Sequence, residues 1–334
     1  MRVLYTDPAW LRSGDTVDPA LATIEAEVLA GHATLEFGPF ADGRYQLDRI
    51  AEHVAGVDVL VVYRCQVTER LLDAVGPSLK AVIRQGVGVD NLNAELLEQR
   101  GVPGYNVPDY CVDEVSSHTT ALALALERAV VAQHRTLVEG TFDIYAGGIP
   151  RRTSGRTLGI VGFGRIGRAV ARKLGVHYGR TLVYDPYLGR DLPAGYGAQA
   201  VDTLPELLAA ADLVTLHCPL NPETDRMFDR AAFAQMRTGS YLVNAARGRL
   251  VDPVALAEAL ESGRIAGAGL DVFAPENPHD DPAWHPVLKH PDVVVSSHRA
   301  FLSADAEASS RRRVAELARD VLAGRTRLVG RVLP

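Results

Sequence analysis

The sequence predicts an α/β protein made of two doubly wound parallel-sheet domains, and three observations carry that prediction. Short, near-continuously apolar runs alternate with amphipathic helical stretches, as strands covered by helices on both faces require. A glycine-rich strand-to-helix turn at residues 162–167 opens a second series of the same kind midway along the chain. The 334 residues suffice for two domains at about 150 residues each.

In the first series, strands are expected at residues 2–7, 34–38, 57–63, 80–85 and 102–107, with helices at 20–30, 68–75 and 92–100. In the last of these helices Leu92, Leu96 and Leu97 share a face and Gly101 supplies the stop. A helix-rich stretch at 113–138 and a Gly/Pro/Arg segment at 147–156 lead into the second series. Its strands are expected at 157–162, 181–185, 212–217, 240–245, 267–273 and 293–298, and its helices at 165–174, 204–210, 230–236 and 253–262. The last helix is well punctuated: Asp252 stands at the N-cap, Pro253 in the first turn and Gly263 just past the end. A final helix at 305–322 is too short to fold alone and is expected to return to the first domain. The expected domains are therefore 1–109 with 300–334, and 110–299.

Composition narrows the function. Apolar residues make up 47% of the chain and charged ones 23%, which excludes disordered and fibrous classes. The longest apolar candidate, around residues 121–126, is cut by Glu127 and Arg128, far short of the roughly 18 to 20 residues of a membrane span. The N-terminus turns polar at Asp7 and reads as a first strand rather than a signal peptide, so a cytoplasmic protein with no membrane partner is expected. The net charge of −6 disfavours nucleic-acid binding. Cys65, Cys111 and Cys218 form neither a disulfide framework nor a zinc pattern. His279, Asp280, Asp281 and His285 read as a solvated loop, so no metal is expected.

The segment Gly162-Phe163-Gly164-Arg165-Ile166-Gly167 follows a strand and opens a helix. Gly162 permits the tight turn, Gly164 lets backbone amides approach a pyrophosphate, and Gly167 lets the helix sit close on the strand. The amides of Arg165 and Ile166 would meet the phosphates at the positive end of the helix. Asp185 ends the next strand at the fingerprint's spacing of roughly 20 residues, where its carboxylate can accept from a ribose and repel a 2′-phosphate. NAD is thus expected over NADP. Arg190 downstream could relax that preference but reads as a solvated arginine.

Arg247, Glu276 and His298 each fall just past a strand end of the second series. The carboxyl ends of parallel strands face the ligand crevice, so residues far apart in sequence can converge there on a nicotinamide.

At this point a resemblance becomes specific. The segments RQGVGVDN (84–91), NVPDYCVDEV (106–115), HCPLNPET (217–224), NAARG (244–248), DVFAPEN (271–277) and SSHRAF (296–301), with the glycine motif, resemble those of D-isomer-specific 2-hydroxyacid dehydrogenases over nearly the whole chain. The ending HRAFLS resembles the D-lactate dehydrogenase and C-terminal-binding-protein branches, and YDPYL leans toward bacterial relatives of the latter. The resemblance implies a flavodoxin-like substrate domain and a Rossmann NAD-binding domain with a dimerisation helix and arm, hence a homodimer. It implies His298 as general acid/base, Glu276 as its carboxylate partner and Arg247 as the substrate-binding cation. The chemistry agrees, since reduction of a 2-keto acid needs a hydride and a proton. A histidine beside a carboxylate can hold that proton, and a guanidinium can bind the substrate carboxylate. By the same resemblance Val87, Gly88 and Tyr110 would touch the substrate. His217, Cys218, Pro219, Thr224, Ala245, Ala246 and Asp271, together with Arg247 and His298, would line the cofactor. Two positions depart from the family pattern: Ser297 stands where a proline is usual before the histidine, and Phe142 where the arm commonly carries a tryptophan. The leading expectation is an NAD-dependent D-2-hydroxyacid dehydrogenase; the same three residues do not exclude a corepressor-like, NAD(H)-sensing binding protein, or an oxidoreductase acting on phosphite or phosphonates.

Overall fold

The computed structural model describes residues 1–189, 191–325 and 328–331; Arg190 lies outside the described residues. The chain divides into two compact units, Met1–Tyr110 with Ser303–Pro334 (unit 1) and Cys111–Leu302 (unit 2).

In chain order, unit 1 runs through β1 (Arg2–Tyr5), the ribbon β2 (Arg12–Ser13) and β3 (Thr16–Val17), α1 (Thr23–Leu29), β4 (Thr34–Phe37), a second ribbon β5 (Phe40–Ala41) and β6 (Arg44–Tyr45), β7 (Val59–Val62), α2 (Glu69–Val75), β8 (Ala81–Arg84), α3 (Ala94–Gln99) and β9 (Gly104–Tyr105). Unit 2 contributes α4 (Val112–Glu127), α5 (Val130–Val138), β10 (Thr157–Val161), α6 (Arg165–Lys173), β11 (Arg180–Tyr184), β12 (Gln199–Ala200), α7 (Leu204–Ala210) and β13 (Leu213–Leu216). It continues with α8 (Arg230–Gln235), β14 (Ser240–Asn244), α9 (Pro253–Glu261), β15 (Ile265–Leu270), α10 (His285–Lys289) and β16 (Val293–Val295), after which α11 (Ala304–Leu322) re-enters unit 1.

Among the described residues unit 1 holds a five-stranded sheet of order β4-β1-β7-β8-β9, every pair parallel. This is the flavodoxin-like order, with its switch point between β1 and β7. The near-continuous apolar strands follow from burial on both faces. Leu60 and Val62 pack with Leu71, Val75 and Leu97, whereas Val59 and Val61 pack with Leu29, Val314 and Ala318. The returning α11 is fastened to α1 by a buried Arg311–Glu25 ion pair at 2.8 Å, and the Arg311 guanidinium stacks 3.8 Å from the Trp10 ring centroid.

Unit 2 holds a seven-stranded parallel sheet of order β12-β11-β10-β13-β14-β15-β16. Its order reverses between β10 and β13, the Rossmann arrangement. The helix-rich stretch resolves into two helices of different character, separated at Ala129, whose φ is +52°. Leu122, Ala123 and Leu126 of α4 are buried against the sheet and α6. Val130, Leu137 and Val138 of α5 are exposed. Among the described residues no helix is long and apolar enough to cross a membrane.

Three local differences separate the structure from the sequence expectation. The short ribbons and β12 are two-residue strands, too brief to show a period. The strand expected at 267–273 starts and ends earlier, at Ile265 and Leu270. The strand expected at 293–298 stops at Val295, because the chain beyond it is drawn into a turn around Asp271.

Candidate active site

All the reactive candidates of unit 2 lie at the carboxyl edge of its sheet. Gly162, following β10, has φ +90°, and a Cβ there would lie 2.6 Å from the Cys218 nitrogen. The turn is therefore wedged against the chain leaving β13, which only glycine allows. A Cβ on Gly167 would lie 2.2 Å from the Gly162 carbonyl, so α6 begins in contact with the turn. Gly164 differs: nothing lies within 4 Å of a Cβ built there. The second glycine thus opens a cradle toward solvent at the N-terminus of α6, where the amides of Arg165 and Ile166 begin the helix. Beside it, Asp185 Oδ2 accepts from the Phe163 amide at 2.8 Å and Oδ1 from the Tyr187 amide at 3.0 Å. Each carboxylate oxygen keeps a further lone pair for a hydroxyl. An open cradle at a helix N-terminus flanked by a fixed carboxylate fits the pyrophosphate and ribose of a dinucleotide.

The chain after β13 builds the next wall. His217 lies beside Thr215, with Nε2 and the hydroxyl oxygen 3.0 Å apart, and desolvation pushes its imidazole down to about 3. It is therefore neutral near pH 7 and unsuited to proton transfer there. Burial likewise pushes the Cys218 thiol up to about 11, so it remains protonated and is no nucleophile at neutral pH. Thr224 closes the following turn by donating its hydroxyl to the Pro219 carbonyl at 2.7 Å.

Past β14, buried Asn244 organises the NAARG turn. Its Oδ1 accepts from the Ala246 amide at 3.0 Å and its Nδ2 donates to the Arg247 carbonyl at 2.8 Å. The Arg247 guanidinium donates to the Ala246 carbonyl at 2.7 Å. A Cβ on Gly248 would lie 2.1 Å from the carbonyl carbon of Phe273, so this turn abuts the chain leaving β15. That chain carries Glu276, and Trp284 braces it by stacking edge-on against Phe273 and donating its indole N–H to the Ala274 carbonyl at 3.0 Å.

His298 and Glu276, 22 residues apart in sequence, meet with Nδ1 2.7 Å from Oε1. His298 has φ +51°, a left-handed backbone that a non-glycine residue adopts only when its surroundings impose it. Those surroundings belong to Asp271. Its carbonyl accepts from the His298 amide at 2.7 Å, and its carboxylate accepts from the amides of Arg299 and Ala300 at 3.0 and 2.9 Å and from the Ser296 hydroxyl at 2.6 Å. Phe301 packs edge-on against the imidazole, with centroids 6.1 Å apart. Asp271, which the family resemblance placed toward the nicotinamide, is fully buried and accepts hydrogen bonds from the turn that carries His298. Ser296 lies within the SSHRAF segment, but its contact with His118, whose Nε2 lies 2.8 Å from the Ser296 hydroxyl oxygen, has no local signature in the sequence, the two being 178 residues apart.

Val87, Gly88 and Tyr110 belong to unit 1. The Val87 carbonyl accepts from Asn106 Nδ2 at 2.6 Å, which fixes the loop after β8, and Tyr110 packs on the core that includes α11.

A doubly wound parallel sheet with a glycine turn at its switch point and an acid–base pair at its carboxyl edge defines the class: a dinucleotide-binding oxidoreductase fold. The chain belongs to the D-isomer-specific 2-hydroxyacid dehydrogenase family, for residues 120–300, more than half of it, match that family's NAD binding domain. It is 36% identical over 279 residues to the D-3-phosphoglycerate dehydrogenase of Mycobacterium bovis, covering 83% of this chain and 51% of that protein. The chain thus spans about half the length of the curated relatives it matches. Among solved structures, the TT0316 protein from Thermus thermophilus is similar with a TM-score of 0.79 at 30% identity, covering 100% of both chains. The D-lactate dehydrogenase of Aquifex aeolicus, complexed with NAD and lactic acid, has a TM-score of 0.83, covering 97% of this chain and 96% of that one; at 24% identity it is a likeness of fold.

Proposed function

We propose that this chain is an NAD-dependent dehydrogenase that interconverts small 2-hydroxy and 2-keto acids. The observation that carries the reading is the His298–Glu276 pair at 2.7 Å, on the same sheet edge as the open glycine cradle. Glu276 takes the Nδ1 side of the imidazole, which leaves Nε2 to face a substrate oxygen. Bound in the cradle, the nicotinamide cofactor would supply reversible hydride transfer at C2 of the acid. His298 takes the hydroxyl proton in oxidation and donates it to the developing alkoxide in reduction. Arg247 binds the substrate carboxylate through its planar fork and stabilises charge at the adjacent carbonyl. The amides of Val87 and Gly88 and the Tyr110 side chain serve as further substrate contacts. The cradle of 162–167, Asp185, residues 217–224, Ala245 and Ala246 hold the cofactor, with Asp185 favouring NAD over NADP.

We also propose that it works in the cytoplasm as a homodimer formed through α5 and the arm that follows. Phe142, Ile144, Tyr145 and Ile149, close together in the arm, expose 85%, 69%, 63% and 80% of their surface, and exposed apolar side chains grouped in this way favour a protein partner. Beside them runs a groove of about 970 Å³ lined by Leu126, Ala132, Arg135, Tyr241, Ile265 and Pro291. Changing Phe142 and Ile149 together to Asp is expected to yield a monomer in sedimentation velocity; an unchanged species rejects this interface.

The decisive test of activity is oxidation of NADH by a panel of 2-keto acids, with phosphonate analogues and phosphite oxidation as separate arms. Turnover confined to 2-keto acids is the expected result. Tight NADH binding without turnover of any substrate would move the reading to an NAD(H)-dependent binding protein.

A further inference from the structure

The turn bearing His298 does not end its network at Asp271. Ser296 donates its single hydroxyl proton to Asp271 Oδ1 at 2.6 Å, so its oxygen can only accept from the histidine on the other side. That histidine is His118 on α4, whose Nε2 lies 2.8 Å from the Ser296 oxygen and 3.6 Å from Asp271 Oδ1. The proton of His118 therefore resides on Nε2, whether the ring is neutral or charged. Asp271 is fully buried, and the same carboxylate holds the amides of Arg299 and Ala300, next to the strained His298 backbone.

We propose that His118 is a positioning residue for the acid/base. By donating to Ser296 it fixes the hydroxyl rotor toward Asp271, and so fixes the carboxylate that keeps His298 in its left-handed conformation and aimed at Glu276. Without the Nε2 donor, the Ser296 proton is free to rotate and Asp271 loses the orientation on which two backbone amides depend. The link spans 178 residues and joins the first helix of unit 2 to the turn after its last strand. Its effect on rate rests on the dehydrogenase reading above; its effect on the His298 ring does not.

The test is read on His298 itself. In protein labelled at histidine Cε1, ten ring signals are expected from ten histidines, and the His298 signal is the one lost in His298→Gln. His118→Leu is expected to displace that signal, and His118→Gln, whose amide Nε2 can donate from a similar position, to restore it. Ser296→Ala, a smaller change that leaves α4 intact, should displace the signal in the same direction. In steady state His118→Leu should lower kcat roughly tenfold, the scale of a slightly misplaced catalytic group, with the NADH Kd held within about twofold. A His298 signal unmoved in both His118→Leu and Ser296→Ala overturns the proposal, as does a Gln variant displaced as far as the Leu variant. A loss confined to NADH affinity overturns it too, since that marks a role at the cofactor rather than at the imidazole. If the wild-type protein reduces no 2-keto acid, the dehydrogenase reading fails while the ring signal still decides this one.

Discussion

Asp7 lies just past β1 in unit 1, and Asp271 just past β15 in unit 2. Both are buried, and both receive donors from the loop leaving the neighbouring strand. Asp7 accepts from the amides of Arg64 and Tyr63 at 2.7 and 3.1 Å and from the Thr6 hydroxyl. Asp271 accepts from the amides of Ala300 and Arg299 and from the Ser296 hydroxyl. The mechanical device is the same, and what it mounts is different. In unit 1 the held loop carries Tyr63, with the guanidinium carbons of Arg64 and Arg84 5.4 and 5.6 Å from its ring centroid. In unit 2 it carries an imidazole set against a carboxylate. A buried carboxylate can hold any strand-end loop still; the side chain placed on that loop decides what the stillness serves.

The largest expected effect removes what the second device mounts. His298→Ala should lower turnover by roughly 10² to 10⁴-fold, the usual contribution of a positioned acid/base, while NADH binding measured by fluorescence titration stays near wild type. Near-normal turnover would remove His298 from the mechanism and with it the contrast between the loops. Next come the devices themselves. Asp271→Ala and Asp7→Ala each leave two amides without an acceptor, and each should cost about 2–4 kcal/mol in denaturant unfolding. Kinetics should separate them: Asp271→Ala lowers kcat, whereas Asp7→Ala, whose loop carries no acid–base pair, lowers it much less. Equal losses of kcat would show that both loops serve the chemical step.

Asp185→Ser gives a smaller effect on the same edge. It removes a charged acceptor for the cofactor ribose and for the Phe163 amide, so NADH affinity should fall about tenfold or more relative to NADPH. An unchanged ratio of the two dissociation constants would argue that Asp185 serves only the glycine turn.

The two sheets and the glycine turn were legible in the sequence because their signals are local. Runs such as Val59–Val62 are apolar at every position since both faces are covered, and the spacing from Gly162 to Asp185 is set by one strand–helix–strand passage. That Glu276 and His298 lie on one sheet edge was legible from the strand ends, whereas their pairing as carboxylate and acid/base came through resemblance. The network beneath them was not legible. Ser296 continues an apolar strand in sequence, and nothing near it announces that a carboxylate 25 residues earlier draws the chain out of the ladder. The Phe40–Tyr45 ribbon did contain a turn signal, Asp42-Gly43, and both residues take the positive φ such hairpins need. Its two-residue arms carried too little pattern to exploit that signal.

A last contrast concerns two histidines on one edge. His298 is partly open to solvent and faces a carboxylate, whereas His217 is desolvated, with its imidazole held down to about 3. In the unfolded chain His217 titrates near 6.5, so below that pH the unfolded state binds a proton that the folded state refuses. The stability that results is complete above pH 6.5 and is lost progressively as pH falls toward about 3. At pH 6 the loss is about 0.8 kcal/mol, growing by up to about 1.4 kcal/mol for each further pH unit. His217→Gln keeps a polar group within reach of Thr215 but cannot titrate. Its unfolding free energy should therefore vary less between pH 8 and pH 5 than that of the wild type. Parallel curves for the two proteins would mean that His217 takes up its proton in the folded state, which would return it to the set of groups able to act in proton transfer.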